Sequence, residues 1–296
     1  MIFLSIYAII YLCIVNTKEA PHISTLFISD LDGTLLNSNA ELSDFTISTI
    51  NSLIADGMHF TYATARTMYT AEVITSRLNI SVPCILNNGA EIYDRANAEY
   101  IRKACIPRDK ADRLIDAFSE NHVGVQMFRV TDGRLDMYYP PYVNDLMRGN
   151  IENRRATTDQ VITECSDLHS VNDGDVVYFA STGDMEPLLP IRETAMQTEG
   201  ISYEFYVDTY TGKHYLEIFS DEASKANGVK FLREKYGFDR VVAFGDNLND
   251  IAMFEQADVR IAVGNANEAV KKAADFVIDT NDNNGAAKWL ASHYNE

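Results

Sequence analysis

Two aspartates are the residues of this chain best suited to chemistry. Residues 30–34 read DLDGT and come directly after the apolar run Thr25–Ser29. The carboxylates of Asp30 and Asp32 stand two residues apart on a chain that Gly33 lets turn sharply, so they can converge on one metal ion and one phosphate group. The segment therefore predicts a site for a phosphate and a metal ion.

A second acidic segment occurs much later in the chain. Residues 245–250 read GDNLND and follow the apolar run Arg240–Phe244, so they also lie past the end of a predicted strand. At the carboxyl edge of a parallel sheet, Asp246 and Asp250 can meet the first pair of acids. Taken alone, the segment also fits a helix cap in which Asn249 or Asp250 opens the next helix. The two acidic segments together favour one shared site.

Donors suited to a phosphate stand at two further places. Thr64, Ala65 and Arg66 follow the second predicted strand, where a hydroxyl and backbone N–H groups at a helix start can hold phosphate oxygens. Lys225 opens the helix that precedes the second acidic segment. A lone lysine is most often a solvated surface charge, but at this position we expect it to clamp a phosphate.

The elements that position these residues alternate between strand and helix. Hydrophobic periodicity switches repeatedly between two and 3.6 residues, which indicates a parallel sheet wound with helices. In the first block the predicted strands are Thr25–Ser29, Met58–Ala63 and Pro83–Leu86, and the predicted helices are Ser43–Asp56 and Tyr69–Leu78. In the last block the predicted strands are Arg240–Phe244, Val259–Val263 and Phe276–Ile278, and the predicted helices are Lys225–Tyr236, Asp250–Gln256, Glu268–Ala274 and Ala286–His293.

The region between these blocks has a different pattern. Its strands alternate more regularly, which is typical of a sheet with one solvated face. The predicted strands are Val123–Val130, Leu135–Tyr139, Val176–Ser181, Ser202–Val207 and Tyr215–Phe219, and the predicted helices are Arg108–Asn121 and Met185–Thr198. We therefore predict an α/β protein with a doubly wound, Rossmann-like parallel-sheet core at 24–91 and 221–296 and an inserted α+β domain at 92–220.

Composition narrows the class of partner. The 296 residues include 25 Lys+Arg against 43 Asp+Glu, a formal net charge of −18, which argues against nucleic acid or an anionic membrane as the main partner. Small anionic ligands stay compatible, because a local cation reverses the field inside a cleft. The four cysteines stand far apart and include no C-x-x-C pair, so zinc and redox motifs have no support.

Residues 1–23 begin with an apolar stretch of uncertain status. Ile2–Val15 contains no charged residue. As a helix it would span about 21 Å, less than the ~30 Å hydrocarbon core of a bilayer. No Lys or Arg precedes it and no A-x-A-like cleavage site follows, as a signal peptide would require. A leader or anchor and a stretch outside the functional fold, such as a misplaced start, both stay open, and we expect a cytoplasmic protein.

The order of these segments resembles the haloacid dehalogenase superfamily of phosphotransferases. The resemblance spans residues 25–296 and rests on DLDGT, then Thr64, then Lys225, then GDNLND. The large insert resembles the C2B cap of the Cof-like, type IIB sugar-phosphate phosphatases, with NNGA at 87–90 and LEI at 216–218 matching the two cap junctions. Ala65 stands where the family usually has the glycine of Thr-Gly-Arg, and its methyl group narrows the approach of a phosphate on that side.

The resemblance implies a division of roles in the site. Asp30 would be the nucleophile that forms an aspartyl-phosphate, and Asp32 the general acid and base. The residues expected to hold the phosphoryl group are Thr64, Ala65, Arg66, Lys225 and Asn249. The residues expected around Mg²⁺ are Asp30, Asp32 through its backbone carbonyl, Asp246 and Asp250, the last of which would orient Lys225 or metal-bound water.

The function implied is Mg²⁺-dependent hydrolysis of phosphate monoesters of small metabolites, with sugar phosphates as the expected class. A phosphomutase similar to phosphomannomutase is the alternative enzyme, and an inactive protein that binds a phospho-metabolite is the alternative of another class. We expect no nucleic acid partner and no obligate protein partner, and either a monomer or a small homo-oligomer.

Overall fold

The computed structural model describes residues 24–207 and 211–294. The predicted leader and Cys13 lie outside these ranges. Within them, no helix combines the length and the apolar character needed to cross a membrane.

A five-stranded parallel sheet forms the centre of the molecule. Its strand order is β14-β13-β12-β1-β2. The strands are β1 (Thr25–Ser29), β2 (His59–Tyr62), β12 (Arg240–Gly245), β13 (Val259–Ala262) and β14 (Phe276–Val277). The middle of each central strand, Leu26–Ile28 in β1 and Val241–Phe244 in β12, is an unbroken and buried apolar run, as expected for strands covered on both faces.

Helices cover both faces of this sheet. On one face lie α1 (Asp44–Ala55), α2 (Met68–Thr75) and α9 (Gly285–His293). On the other face lie α6 (Lys225–Tyr236), α7 (Asn249–Phe254) and α8 (Glu268–Ala273). The predicted doubly wound core is therefore confirmed.

The third predicted strand leads out of the parallel sheet. β3 (Cys84–Leu86) touches the end of β2 through a single parallel bridge between Ala63 and Ile85. It pairs antiparallel with β4 (Glu91–Asp94), which in turn pairs with β5 (Glu99–Lys103).

The inserted region is built on a second, mostly antiparallel sheet. Its order is β10-β11-β9-β6-β7-β8, and only β7 and β8 run parallel. The strands are β6 (Gln126–Thr131), β7 (Arg134–Tyr139), β8 (Ile162–Glu164), β9 (Val176–Gly183), β10 (Ile201–Val207) and β11 (His214–Ser220). Two helices, α3 (Arg108–Glu120) and α5 (Met185–Met196), pack on one face. The predicted α+β insert is confirmed.

One helix of the insert was not predicted. α4 (Asp145–Thr157) packs on the face opposite α3 and α5, and buries only Met147 and Ile151 fully. Its apolar positions are too sparse to give a clear helical period. Its start is marked by Asn144, whose side chain accepts a hydrogen bond from the backbone N–H of Met147.

The exact domain boundaries stay a prediction. Ile92 is fully buried in the same apolar cluster as the core helix α6, and Ile101 packs against that cluster. This packing favours counting the β4–β5 hairpin with the parallel sheet, so that the insert would begin after about residue 103.

The two chain crossings between sheet and insert touch each other. Gly89, in the turn Asn87–Gly89, has a φ of +100°, and a Cβ there would overlap the backbone carbonyl of Ser224. Ser224 caps α6 by accepting a hydrogen bond from the Asn227 backbone N–H. The close approach of the two crossings therefore fixes where α6, and with it Lys225, begins.

We predict that Gly89→Ala destabilises the fold more than Gly133→Ala does. Both glycines have positive φ, but a Cβ at Gly133 meets no atom within 4 Å. Gly133→Ala should lower the free energy of unfolding by about 1 kcal/mol through backbone strain alone. Gly89→Ala should cost a further ~1–3 kcal/mol from crowding. Urea denaturation of both variants measures the difference, and equal losses would contradict the crossing contact.

Candidate active site

The two acidic segments meet because their strands are neighbours. β1 and β12 pair in parallel, with Ser29 opposite Phe244. The backbone N–H of Asp30 donates to the carbonyl of Phe244 at 2.9 Å, which ties the start of the first segment to the end of the second strand. Both segments thus emerge at the same carboxyl edge of the sheet, as in open α/β folds generally.

Lys225 is buried between two aspartates from the two segments. Its Nζ lies 2.5 Å from Oδ1 of Asp30 and 2.7 Å from Oδ1 of Asp250. Burial alone would lower the pKa of Lys225, but the charges of Asp30 and Asp250 outweigh it and raise the pKa above its usual value. The lysine is therefore a fixed ammonium, and the solvated-charge alternative is ruled out by its 2% exposure.

Both carboxylate oxygens of Asp250 have partners within the protein. It is completely buried, and its Oδ2 accepts hydrogen bonds from the backbone N–H groups of Asp246 at 2.9 Å and Asn247 at 3.0 Å. A Cβ at Gly245 would lie 2.6 Å from the Cβ of Asp250, so the strand end must be glycine for this carboxylate to fit. Asp250 thus shapes the loop and holds Lys225.

The ionised form of the Asp246 carboxylate is destabilised by its surroundings. The hydroxyl of Thr34 donates to its Oδ1 at 2.8 Å, yet burial and the charge of Asp250 raise its pKa to about 6. Burial likewise raises the pKa of Asp30, and Lys225 opposes this effect. A cation at this position would favour the ionised form of both groups.

Three carboxylates form a group of metal-ligand size. One oxygen from each of Asp30, Asp246 and Asp250 lies within 4.8 Å of the others. In the described part of the chain, the second oxygens of Asp30 and Asp246 accept no hydrogen bond. An all-oxygen set of this kind suits Mg²⁺.

The side chain of Asp32 lies apart from this group. Arg66 donates to it twice, from Nε to Oδ2 and from Nη2 to Oδ1, both at 2.7 Å. The carboxylate is about half exposed, and this ion pair raises the pKa of Arg66. Asp32 therefore faces the cleft rather than the acidic group, and its predicted contribution to the metal through a backbone carbonyl stays a prediction.

The loop after β2 presents donors to the same edge. Thr64 is fully buried, and its Oγ1 accepts a hydrogen bond from the Arg66 backbone N–H at 3.1 Å. Ala65 is exposed, and its backbone N–H makes no hydrogen bond to a described residue. Its φ is not positive, so alanine here carries no left-handed strain.

Asn249 lies at the same edge, together with Asn88 and Thr34, for which the sequence alone predicted no role. The Asn249 Nδ2 donates to Oδ1 of Asn88 at 3.3 Å. Sequence reasoning treated Asn88 only as part of a cap junction and Thr34 only as part of the DLDGT segment. The signal that could have found Asn88 is its position just past the end of β3, the same kind of position that the other site residues occupy.

The insert presents acidic groups toward this edge. Glu204 and Glu217 lie directly opposite each other on β10 and β11. They point away from the neighbouring Leu216, which is buried under α3 and α5. The charge of Lys225 lowers the pKa of Glu204, but burial is the larger effect and raises it. Burial and Glu204 raise the pKa of Glu217 to about 7, and no described cation pairs with either carboxylate.

A sequence model for haloacid dehalogenase-like hydrolases matches residues 27–290, which include every residue of the site described above. The chain belongs to the haloacid dehalogenase-like hydrolase family. This confirms the resemblance that the acidic segments indicated. As a member of this family it is an enzyme, a phosphoric monoester hydrolase.

Three comparisons place this haloacid dehalogenase-like hydrolase more closely. It is 26% identical to the 5-amino-6-(5-phospho-D-ribitylamino)uracil phosphatase YitU of Bacillus subtilis, over 91% of this chain and 97% of that protein. A haloacid dehalogenase-like hydrolase of Bacteroides thetaiotaomicron has a TM-score of 0.75 at 26% identity, covering 91% and 99% of the two chains. A subclass IIB sugar phosphatase shares the fold, with a TM-score of 0.70 at 21% identity over 92% and 99%. The Cof-like assignment is confirmed, and the chain shares the fold of a type IIB phosphatase.

We predict that Asp246→Asn stabilises this hydrolase at pH 7 in the absence of divalent cations. The pKa of Asp246 in the folded protein, about 6, lies above its ordinary value of 3.8. Between pH 3.8 and pH 6 the folded protein therefore binds a proton at this group more tightly than the unfolded chain does. The contribution of protonated Asp246 to the free energy of unfolding is therefore lost as the pH rises through about 6. The midpoint of thermal unfolding should be higher in the variant at pH 7, and the difference should shrink toward pH 4.

Asp275→Asn is the control of opposite sign. The hydrogen bonds that Asp275 accepts from Arg260 lower its pKa, so the stabilisation by this carboxylate is present at pH 7 and is lost in acid. This variant should unfold at a lower temperature than the wild type at pH 7. A lower thermal midpoint for Asp246→Asn at pH 7 would contradict the prediction, because it would show that the ionised Asp246 carboxylate stabilises the fold without a metal ion.

Proposed function

We propose that this chain is a Mg²⁺-dependent phosphatase of small phosphorylated metabolites, principally sugar phosphates, that works through an aspartyl-phosphate on Asp30. The observation that carries the proposal is the Lys225 bridge between Asp30 and Asp250, next to Asp246. At one edge of the sheet it brings together a carboxylate suited to be a nucleophile, a buried ammonium group and a cluster of carboxylates close enough to bind one metal ion.

Asp30 is suited to be the nucleophile. The residue is 6% exposed, with Oδ1 of its carboxylate bound by Lys225 and Oδ2 without a described partner. An Asp30 oxygen would form a bond to phosphorus while the bond from phosphorus to the ester oxygen breaks. Splitting hydrolysis in this way replaces one difficult step by two easier ones.

Asp32 is suited to both proton transfers. In the first step it would give a proton to the departing alkoxide, and in the second it would take one from the water that attacks phosphorus and releases Asp30. Arg66 donates two hydrogen bonds to the carboxylate of Asp32 and holds it in place beside the site. Proton donation in the first step requires that a substrate loosen this ion pair.

Asp30, Asp246 and Asp250 fit a magnesium ion, since they offer only oxygen ligands and the carboxylate of Asp246 is destabilised without a cation. When bound, Mg²⁺ supplies positive charge that offsets repulsion between these carboxylates and a phosphate dianion. The Lys225 ammonium, the Thr64 hydroxyl, the free Ala65 N–H and the Asn249 amide would hold the phosphoryl oxygens. Arg66 would contribute by holding Asp32.

The acidic face of the insert supports a neutral, hydroxyl-rich leaving group. Like charges directly opposite each other destabilise a sheet, so Glu204 and Glu217 are costly unless a ligand uses them. The Tyr206 hydroxyl donates to Glu217 at 3.5 Å, which adds another polar group to the same face. Carboxylates accept hydrogen bonds from sugar hydroxyls and repel a second anionic group. The substrate named for the Bacillus subtilis relative, a ribityl phosphate, has this character.

A phosphomutase is the second candidate because of Arg154. Its guanidinium lies over the ring of Phe128 at 5.6 Å, and it forms no ion pair with a described carboxylate. Burial and the nearby charge of Arg66 lower its pKa, so Arg154 lies near the Asp32–Arg66 pair and would supply a positive charge for a second phosphate. A mutase would convert isomers when given a sugar bisphosphate activator, whereas a phosphatase releases inorganic phosphate.

We predict that Asp30→Asn reduces phosphate release to background and that Asp32→Asn lowers kcat by about 10²–10⁴-fold. The assay measures inorganic phosphate from p-nitrophenyl phosphate and a panel of sugar phosphates, with Mg²⁺ or with a chelator. Asp44→Asn is the matched control, because the Asp44 side chain is 87% exposed and pairs only with Arg77. Wild-type turnover by Asp30→Asn would refute the nucleophile, and no phosphate release by the wild type would favour an inactive binding protein.

We also predict that Glu217→Gln relaxes discrimination against a second anion. Above pH 7, where Glu217 with its raised pKa of about 7 is ionised, the ratio of kcat/KM for a hexose bisphosphate to that for the hexose monophosphate should rise about tenfold, because one repulsive charge is lost at little change in shape. Glu164→Gln, an exposed carboxylate on β8 at the opposite edge of the insert sheet, should leave the ratio unchanged. An unchanged ratio in Glu217→Gln would remove the support for a neutral leaving group.

A further inference from the structure

Asn88 is held in a backbone conformation that few residues adopt. It lies in the turn after β3 with φ +54° and ψ +24°, in the left-handed region. Its backbone N–H donates to the carbonyl of Thr64 at 2.9 Å, which fixes the turn against the loop after β2. Left-handed conformations of residues other than glycine persist where surrounding structure enforces them, and such positions cluster at functional sites.

The side chain of Asn88 is buried with one donor unused. The residue is 5% exposed, and its Oδ1 accepts the hydrogen bond from Asn249. Its Nδ2 is buried and has no hydrogen-bond partner among the described residues. Leaving a buried donor unpaired costs roughly 1–3 kcal/mol, so a native site of this kind calls for a ligand or another explanation.

The groups around this donor all suit an anion. Thr64, bonded to the backbone of Asn88, and Asn249, bonded to its side chain, are both expected to hold the phosphoryl group. The turn also packs against the start of α6, where the Lys225 ammonium is buried. An unpaired amide N–H among these groups can donate a hydrogen bond to a phosphate oxygen.

The opposite assignment of the amides makes a different prediction. If both Asn88 and Asn249 were flipped, Asn88 would donate to Asn249 and present its Oδ1 to the cleft. An acceptor there would repel a phosphate oxygen and would tolerate replacement by aspartate. The two assignments are therefore separable by experiment.

We propose that Asn88 is a further phosphate-binding residue, whose Nδ2 donates a hydrogen bond to the phosphoryl group of the substrate. The inference rests on the proposed function, since it adds one donor to the same phosphate site. It explains together the left-handed backbone, the burial and the unused donor of a residue that the family resemblance accounted for only as a junction between core and cap.

The test measures equilibrium binding of inorganic phosphate by calorimetry, with Mg²⁺ present, for the wild type, Asn88→Gly and Asn88→Asp. Glycine removes the donor without backbone strain, and aspartate keeps the left-handed preference while replacing the donor by a charge. Losing a hydrogen bond to a charged group should weaken phosphate binding by about tenfold or more in Asn88→Gly. Asn88→Asp should weaken it further.

Asn284→Gly is the matched control. Asn284 also has a positive φ, +57°, and its side chain accepts hydrogen bonds from Ser43 and Thr46 outside the site. The Asn284→Gly variant should bind phosphate with the affinity of the wild type. Thermal unfolding of all variants measures any general loss of stability. Asn88→Asp guards against a folding defect in the glycine variant.

The outcomes separate this inference from the proposed function. If the wild type hydrolyses sugar phosphates but phosphate binding is unchanged in Asn88→Gly or Asn88→Asp, the inference fails and the function stands. If the wild type binds phosphate in an Asn88-dependent way without hydrolysing any ester, the inference stands and the function fails. If the wild type hydrolyses esters but binds no inorganic phosphate, only the inference is overturned; if it does neither, both are overturned.

Discussion

A lysine buried between two aspartates joins the parts of this chain that do chemistry. Lys225 contacts Asp30 from the first block and Asp250 from the last block, and all three side chains are almost completely shielded from water. Removing one partner from a buried ion pair costs roughly 3–5 kcal/mol, because an uncompensated charge is left behind. The insert must therefore return the chain so that α6 begins beside the nucleophile, and the contact between Gly89 and Ser224 secures that return.

The architecture divides the work between its two sheets. The parallel sheet brings the loops after β1, β2 and β12 to one edge, and the turn after β3 joins them there. Rigid strands hold these groups more accurately than free loops would. The insert sheet contributes Glu204 and Glu217 from its own face, so the groups that would recognise a leaving group can vary without disturbing those that would handle the phosphate.

Several groups of this site are energetically unfavourable in the absence of a ligand. Asp246 carries a raised pKa, Glu217 is a partly buried carboxylate without a cation, and Asn88 has an unused donor. Perturbed pKa values and unsatisfied groups of this kind concentrate at functional sites, because binding offsets the cost that the folded protein bears. Their clustering around one edge supports a single site that takes a metal ion and a phosphate ester together.

The amino-acid sequence alone determined the fold class, the acids and most of the donors. The unbroken apolar runs of β1 and β12 indicate burial directly, and DLDGT and GDNLND are local patterns whose chemistry can be read without coordinates. The sequence could not reveal that Arg66 binds Asp32, that Thr34 donates to Asp246, or that Asn88 has a free donor. Each of these depends on the position of a side chain from a distant segment. Helix α4 was also missed, since packing against the insert sheet stabilises it more than its own sparse apolar pattern does. Only the tertiary structure decided these points, because it alone sets which distant polar groups share a space without water.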